Sequence, residues 1–189
     1  MKIYFTAAIN ALNDHGDNYK KIVEILESMG HEVISNHILN TDLKTINSQT
    51  QEDIEKYYVK MQTNLKNSDI LVSEVSFPST VHVGHELTLA LEKDKPALAL
   101  YLKGKKPVLL WGITSDKFHV SEYDEKTLKH VLKESVKYLS EQMDSRFNFF
   151  VSPKIVNYLD WIAKKKRLPR AVYLRKLIEK DMEKDEEKN

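Results

Sequence analysis

The chain lacks several features that would identify common protein classes. It contains no cysteine among its 189 residues, which excludes disulfides, thiolate metal sites and a cysteine nucleophile and leads us to expect a cytoplasmic protein. No run of about 18 apolar residues occurs, so we predict neither a membrane span nor a signal peptide. Neither a G-x-G-x-x-G nor a Walker loop is present, which argues against dinucleotide and NTPase sites.

Charge is distributed unevenly along the chain. Residues 146–189 contain 12 Lys and Arg against 7 Asp and Glu, a net charge of +5, so residues 1–145 carry −4 of the overall +1. The length suits a main domain of about 140 residues plus a small appendage. We therefore predict two domains, residues 1–144 and 145–189. An acidic first domain followed by a basic tail indicates either two functions or one function and a unit for oligomerisation.

Strand and helix patterns alternate through the first domain. Strands are predicted at residues 2–7, 32–35, 70–72, 97–102 and 117–120. Helices are predicted at residues 18–29, 51–65 and 125–143 and after Gly84, and residues 40–50 look like a mobile loop. Such alternation implies parallel strands joined by helical crossovers. The predicted fold is α/β, a Rossmann-like parallel sheet of about five strands flanked by helices.

The stretch from residue 68 to residue 101 carries the strongest functional signal. A short apolar strand is followed by a polar loop at residues 76–84 and then by a helix that contains Glu86. Ligands of parallel sheets bind at the carboxyl ends of the strands, which is where Glu86 is expected. A glutamate early in a helix also complements the helix dipole, so a purely structural role is the alternative.

Five segments in a fixed order resemble the nucleoside 2-deoxyribosyltransferase superfamily. Its 2′-deoxynucleoside 5′-phosphate N-hydrolases have the most similar pattern, and the resemblance covers residues 1–142. The segments are residues 3–9, 18–37, 68–79, 83–101 and 117–123.

This resemblance implies a glutamate nucleophile that attacks C1′ of the sugar. Glu86 stands in the V-G-x-E motif, and Tyr4 takes the place of a tyrosine that orients the nucleophile. Ser79 matches a serine that binds the 5′-phosphate, and Gly84 would let the backbone approach the ligand. The implied substrate-binding residues are Ile9, Asn10, Ser79, Val83 and Gly84.

The chain departs from that pattern at three positions. Asn10 stands where the hydrolases have an arginine, and Leu110 lies near the position of a serine from a neighbouring subunit. Met61 replaces the carboxylate that helps protonate the leaving base. His85 or His82 could supply that acid, because histidine titrates near neutral pH. Their H-V-G-H-E order is not the zincin H-E-x-x-H, so we predict neither metal nor cofactor.

The tail has a pattern of its own. A strand is predicted at residues 146–151, helices at residues 154–166 and from Pro169, and Val172, Leu177 and Ile178 are expected to point inward. Over residues 146–182 this order resembles the ribbon-helix-helix family, which implies an intertwined dimer whose paired strands enter the DNA major groove.

That resemblance also implies DNA contacts. Arg146, Asn148 and Arg170 would make them, although an outward Phe150 fits base readout poorly and dimerisation alone is the alternative.

Two classes of function follow. The first is a hydrolase or transferase acting on the N-glycosidic bond of a (deoxy)nucleoside or its 5′-monophosphate, assembled as a homodimer or larger homo-oligomer. The second is a DNA-binding regulator that senses a nucleotide in a non-catalytic pocket. Glu86 and Tyr4 favour the enzyme, whereas Met61, Asn10 and the basic tail favour the regulator.

Overall fold

The structure is a computed structural model that describes residues 1–141, 143, 150–166 and 168–186. The chain divides into two compact units, Met1–Asp144 and Ser145–Asn189. In the part of the chain that the structure describes, no helix is long and apolar enough to cross a membrane.

The first unit is built on a five-stranded sheet in which every neighbouring pair of strands is parallel. The strands are β1 (Lys2–Ala7), β2 (Glu32–Ile34), β3 (Ile70–Glu74), β4 (Ala97–Leu102) and β5 (Phe118–Tyr123). Their order is β2-β1-β3-β4-β5, so the chain crosses from one side of β1 to the other after β2. The predicted α/β class and parallel sheet are confirmed.

In the described part of this unit, five helices and two 3-10 turns lie between the strands, and a sixth helix follows β5. The helices are α1 (Leu12–Ser28), α2 (Asn36–Leu39), α3 (Leu43–Asn47), α4 (Gln51–Asn67), α5 (Val81–Glu92) and α6 (Leu128–Glu141). The 3-10 turns span Ile9–Ala11 and Val108–Gly112.

Three predictions about these connections are wrong. The helix expected at residue 18 begins at Leu12, because its polar first turns and Gly16 give little helical signal. The expected loop at residues 40–50 contains α3, which Asp42 caps by accepting a hydrogen bond from the Thr45 N–H. Helix α5 begins at Val81, before Gly84, because the Thr80 hydroxyl accepts from the Val83 N–H.

Alternate residues of the strands pack on opposite faces of the sheet. On one face Ile3, Phe5 and Val72 pack with α1 and α6, and on the other Tyr4 and Leu71 pack with α4 and α5. Strand β3 is buried along its whole length, as expected for a central strand covered by helices on both sides. The side-chain period of two therefore places Tyr4 and Glu74 on opposite faces.

The second unit contains two helices, α7 (Pro153–Lys166) and α8 (Arg170–Glu186). Residues 144–149, which include Arg146 and Asn148 of the predicted strand, lie outside the described residues, and Phe150 and Val151 are not in a strand.

Val172, Leu177 and Ile178, which were expected to point inward in a dimer, are not buried within the single chain. Only Leu159, Ile162 and Tyr173 form a small buried cluster among the described residues of the unit. Val172, Leu177 and Ile178 are exposed by 38%, 46% and 62%. Two helices alone have too little surface to cover both apolar faces.

Candidate active site

Glu86 occupies a core position of an amphipathic helix. The buried face of α5 is formed by Val83, Glu86, Leu87 and Ala90, the spacing of one helical stripe. Glu86 is therefore turned toward the sheet and is only 5% exposed. A carboxylate at such a position costs free energy, because burial disfavours its charged form. Its presence among apolar side chains marks this position as the candidate site.

Tyr4 and Thr6 of β1 flank this carboxylate. Burial raises the pKa of Glu86 above its usual range, and the nearby Thr6 and Tyr4 hydroxyls oppose that rise. Burial, followed by the nearby charge of Glu86, raises the pKa of Tyr4 far above its ordinary value. Tyr4 is therefore a neutral phenol at any physiological pH and can only act as a hydrogen-bonding group.

Three buried side-chain atoms in the described part of the chain lack a hydrogen-bond partner within the protein. They are Tyr4 Oη, Glu86 Oε2 and His37 Nε2. The Tyr4 hydroxyl is near enough to Glu86 to affect its pKa, but neither atom meets normal limits of hydrogen-bond distance and angle. A buried polar group left unpaired costs about 1–3 kcal/mol. Such unpaired groups are complementary to a polar ligand.

His37 and Tyr57 complete the surroundings of Tyr4, and the sequence analysis missed both. The ring of His37 stacks on that of Tyr4, with ring centroids 4.7 Å apart and an angle of 15° between the ring planes. The centroid of the Tyr57 ring lies 6.4 Å from that of His37. Burial and then the charge of Lys60 lower the pKa of His37 to about 4. Burial and then Glu86 raise the pKa of Tyr57 to about 12.

Weak signals for both residues exist in the sequence. His37 follows the end of β2, at the edge of the sheet where ligands bind. Tyr57, Met61 and Leu65 are spaced by four residues on α4, which is the spacing of a face turned to the sheet.

Of the predicted binding residues, Ser79, Val83 and Gly84 line one cavity of about 570 Å³. It lies between the start of α5 and the 3-10 turn Val108–Gly112, and Lys106 and Leu110 also line it. Glu86 is not among the lining residues, although Val83 and Leu87 of the same helix are. Gly84 is exposed, and a Cβ built on it would contact nothing within 4 Å.

Other predicted site residues lie elsewhere. Ile9 and Asn10 form the 3-10 turn after β1, where Ile9 is half-buried and Asn10 exposed. His82 and His85 are on the exposed side of α5, and His85 Nε2 lies 3.4 Å from Tyr58 Oη. The structure thus does not bring either histidine to the buried face that carries Glu86.

Arg170, a predicted DNA contact, forms an ion pair with Asp160 in the tail. Throughout residues 1–141, 143, 150–166 and 168–186, no group of three or more His, Asp or Glu side chains could hold a metal ion.

A second buried carboxylate, Glu74, lies at the end of β3 on the opposite face of the sheet. Its Oε1 accepts hydrogen bonds from the hydroxyls of Ser76 and of Tyr123, the latter at 3.1 Å. Ser76 Oγ in turn accepts from the Leu102 N–H at 2.7 Å. These bonds join the ends of β3, β4 and β5, so they fix the start of the loop that leads to Ser79 and α5.

The chain is similar to proteins of known name. A relative from Nematostella vectensis, provisionally named 2′-deoxynucleoside 5′-phosphate N-hydrolase 1, is 36% identical over 137 residues, covering 69% of this chain and 90% of the relative. The chain belongs to the 2′-deoxynucleoside 5′-phosphate N-hydrolase family. A family member of the same provisional name from Thermofilum pendens is 29% identical over 128 residues, covering 66% of this chain and 87% of its own. No protein-family model matches the chain.

A solved structure shares the fold of this N-hydrolase family member. The CMP N-glycosidase BcmB from Clostridium botulinum superimposes with a TM-score of 0.50 at 15% identity, covering 71% of this chain and 97% of its own. Membership of the family confirms the resemblance predicted for the first domain. The ribbon-helix-helix resemblance of the tail stays a prediction.

Proposed function

We propose that this protein cleaves the N-glycosidic bond of a 2′-deoxynucleoside or its 5′-monophosphate, with Glu86 as the nucleophile. The observation that carries this proposal is the buried Glu86 carboxylate, whose Oε2 has no partner and which lies beside the neutral phenol of Tyr4. The names of the relatives, which describe 2′-deoxynucleoside 5′-phosphate N-hydrolases, support the same bond and substrate class.

The reaction takes two steps. In the first, a carboxylate oxygen of Glu86 bonds to C1′ of the sugar while the C1′–N bond breaks and its electron pair leaves with the base. The transition state resembles an oxocarbenium ion, which a nearby carboxylate stabilises. In the second, a water oxygen bonds to C1′, one proton of that water goes to the departed base, the glycosyl–ester bond breaks, and the carboxylate of Glu86 is regenerated. A second base in place of water would make the reaction a transfer.

The surroundings of Glu86 set its reactivity. An attacking carboxylate must be ionised, yet burial favours its protonated form. The adjacent Thr6 and Tyr4 hydroxyls counteract the burial and keep the pKa of Glu86 lower than it would otherwise be. Tyr4 therefore acts as a positioning residue that holds the carboxylate and favours its charged form. The dry surroundings strengthen its attraction for positive charge at C1′.

The cavity beside α5 is the proposed site of the 5′-phosphate. Ser79 and the first turn of α5 provide a hydroxyl and free backbone N–H groups, and Lys106 provides a positive charge. Asn10 is neutral and exposed, and Leu110 is apolar, so neither adds charge to this cavity.

Substitution of the nucleophile tests the proposal. The full-length protein is incubated with a panel of deoxynucleosides and their monophosphates, and free base is followed by chromatography. The Glu86→Gln variant should lose base release by at least about a hundredfold, because an amide cannot form the glycosyl ester. The matched control is Glu92→Gln, which removes an exposed carboxylate from the same helix. Retained turnover in Glu86→Gln would refute the mechanism.

For the tail we propose pairing with a second copy of the same unit. The supporting observation is a set of exposed large apolar side chains on α7 and α8, which two helices alone cannot cover. These side chains are Ile155, Tyr158, Trp161, Val172, Leu177, Ile178 and Met182. The exposed lysines 164–166 at the end of α7 would also favour contact with nucleic acid phosphates, the basis of the regulator hypothesis.

A further inference from the structure

Glu74 is a buried carboxylate that the proposed reaction does not use. It is 2% exposed and lies on the face of the sheet opposite Tyr4 and Glu86, so it cannot touch a substrate held there. Its contacts are donors: the hydroxyls of Ser76 and Tyr123, and the Ser76 N–H at 3.4 Å. A carboxylate with these bonds needs no ligand. Its function therefore lies in the groups that it holds in place.

The Ser76 hydroxyl joins Glu74 to the end of β4. A hydroxyl has one proton to donate and can also accept a hydrogen bond. Because an ionised carboxylate can only accept, the proton of Ser76 is directed to Glu74. A lone pair of Ser76 Oγ then faces the Leu102 N–H, which lies 2.7 Å away. Glu74 thereby fixes the orientation of the hydroxyl that ties the loop after β3 to the last residue of β4.

The two segments that Ser76 ties together continue into the two walls of the cavity beside α5. One wall comes from residues 75–87 and includes Ser79. The other wall comes from residues 106–110 and includes Lys106. The spacing of these walls therefore depends on how the loop after β3 is held against the end of β4.

Two backbone hydrogen bonds flank the bond of Ser76 between the same segments. They run from the Val75 N–H to the Leu100 carbonyl, at 2.8 Å, and from the Phe77 N–H to the Lys105 carbonyl, at 2.9 Å. The bond of Ser76 is the central one of these three and is made by a side chain. It is therefore the one that a substitution can remove while the backbone bonds on either side remain.

We propose that Glu74 is a positioning residue for recognition of the 5′-phosphate, because it acts through Ser76 to set the spacing of the Ser79 and Lys106 walls. This inference rests on the proposed function, which assigns the phosphate to that cavity. A phosphate needs its donors at hydrogen-bonding distance, and a displacement of about 1 Å is enough to lose such contacts. Recognition of the sugar and base beside Glu86 should not depend on Ser76.

Four single variants test this role. Ser76→Ala removes the linking hydroxyl and Glu74→Met removes the carboxylate, whereas Glu74→Gln keeps one oxygen that can accept from Ser76. The matched control is Tyr123→Phe, which removes the other hydroxyl bonded to the same oxygen of Glu74 and leaves the loop intact. Base release is followed with a deoxynucleoside monophosphate and with its nucleoside. Isothermal titration measures both affinities with each variant placed in the Glu86→Gln protein.

The expected loss is confined to the phosphate. Ser76→Ala and Glu74→Met should lower kcat/KM for the monophosphate at least about tenfold, since binding energy of a remote group is used in the transition state. For the nucleoside, kcat/KM should fall less than about twofold, and the two affinities should come within about twofold of each other. Tyr123→Phe should keep the preference for the monophosphate, and Glu74→Gln should keep at least about half of it.

A double variant separates positioning from stability. If Glu74 acts through Ser76, Glu74→Met combined with Ser76→Ala should lower kcat/KM for the monophosphate no further than Ser76→Ala alone, even where the melting temperature is lower. Additive losses, or an equal loss in Tyr123→Phe, would mean that the network only stabilises the strand ends. Either result overturns the proposal.

Failure of the proposed function gives a different result. If the wild type releases no base from either compound, that function fails, and the titrations in Glu86→Gln still decide the role of Glu74. If Glu86→Gln itself binds the monophosphate no more tightly than the nucleoside, the cavity does not recognise the phosphate and the role of Glu74 is excluded.

Discussion

At the scale of single residues, two buried glutamates of this fold differ in what surrounds them. Glu74 accepts hydrogen bonds from Ser76 and Tyr123, whereas Oε2 of Glu86 has no partner. Burial raises the pKa of both carboxyls, so both cost free energy when ionised. The hydrogen bonds of Glu74 offset part of that cost and join the ends of three strands. No hydrogen bond offsets the burial of Glu86 Oε2, and an uncompensated cost of this kind is typical of a functional group.

Removal of the Tyr4 hydroxyl should shift the pH dependence of the reaction. Because the adjacent Tyr4 hydroxyl lowers the pKa of Glu86, Tyr4→Phe should raise that pKa. The acid limb of the kcat/KM profile, which reports ionisation of the nucleophile, should therefore move to higher pH. At neutral pH we expect kcat/KM to fall about tenfold, which corresponds to a barrier raised by about 1.4 kcal/mol.

The control for that experiment is Tyr138→Phe on α6, which removes an exposed phenol. An acid limb that stays in place in Tyr4→Phe, with lowered activity at every pH, would show that Tyr4 acts without affecting the ionisation of Glu86.

At the scale of elements, the start of α5 combines a capping residue with one side of a cavity. Thr80 caps the helix, and Ser79 and Lys106 line the cavity beside it. The helix therefore serves two purposes: its first turn faces the proposed phosphate site, and its second turn carries Glu86. Because one rigid helix holds both, the distance between phosphate and nucleophile is set by helical geometry.

Phosphate recognition by this element should be modest. Asn10 carries no charge and Leu110 no hydroxyl, so Ser79, Lys106 and the helix N-terminus remain. In the Glu86→Gln variant, we expect the affinity for a monophosphate to exceed that for its nucleoside by less than about tenfold, a difference in binding free energy of about 1.4 kcal/mol. Isothermal titration measures both affinities. A much larger ratio, lost in Lys106→Met, would show that Lys106 replaces the missing charge.

At the scale of the whole molecule, the second unit should determine the assembly of the protein. Its exposed apolar side chains need a covering surface, which a second copy provides. Light scattering of full-length protein should therefore give a larger assembly than the chain cut after Asp144, for example a tetramer against a dimer. Ile178→Glu in the full chain should have the same effect as the cut, with Glu92→Gln as the control. An unchanged mass in both would refute pairing.

DNA binding by the tail should be weak and independent of sequence. Basic residues 164–166 and Arg170 could contact phosphates, but Arg170 is already paired with Asp160. Contacts with phosphates release counterions, so any binding should fall steeply as salt rises from about 50 to 200 mM. Fluorescence anisotropy with a labelled duplex measures this. Absence of binding at about 50 mM salt would eliminate the regulator hypothesis and leave the tail as an assembly unit.

Much of the fold can be read directly from the sequence, because the signals are local. The apolar runs at residues 2–7 and 97–102 match β1 and β4, and Gly30 ends α1 with φ of 84°, a conformation that glycine favours. Glu86 can also be found, since it interrupts an apolar stripe after a strand. The start of α1 differs from the prediction because its first turns are polar and contain Gly16, and the start of α5 because it depends on one hydrogen bond to Thr80.

The companions of Glu86 depend on contacts between distant parts of the chain. His37 and Tyr57 come from α2 and α4, and they lie near Tyr4 because β2 and β3 pair on either side of β1. Hydrophobic periodicity shows which face of an element is buried but not which element it meets. Strand order and register make that choice. They leave His82 and His85 on the exposed side of α5 and bring His37 against Tyr4, so the histidine beside Tyr4 is a property of the folded sheet.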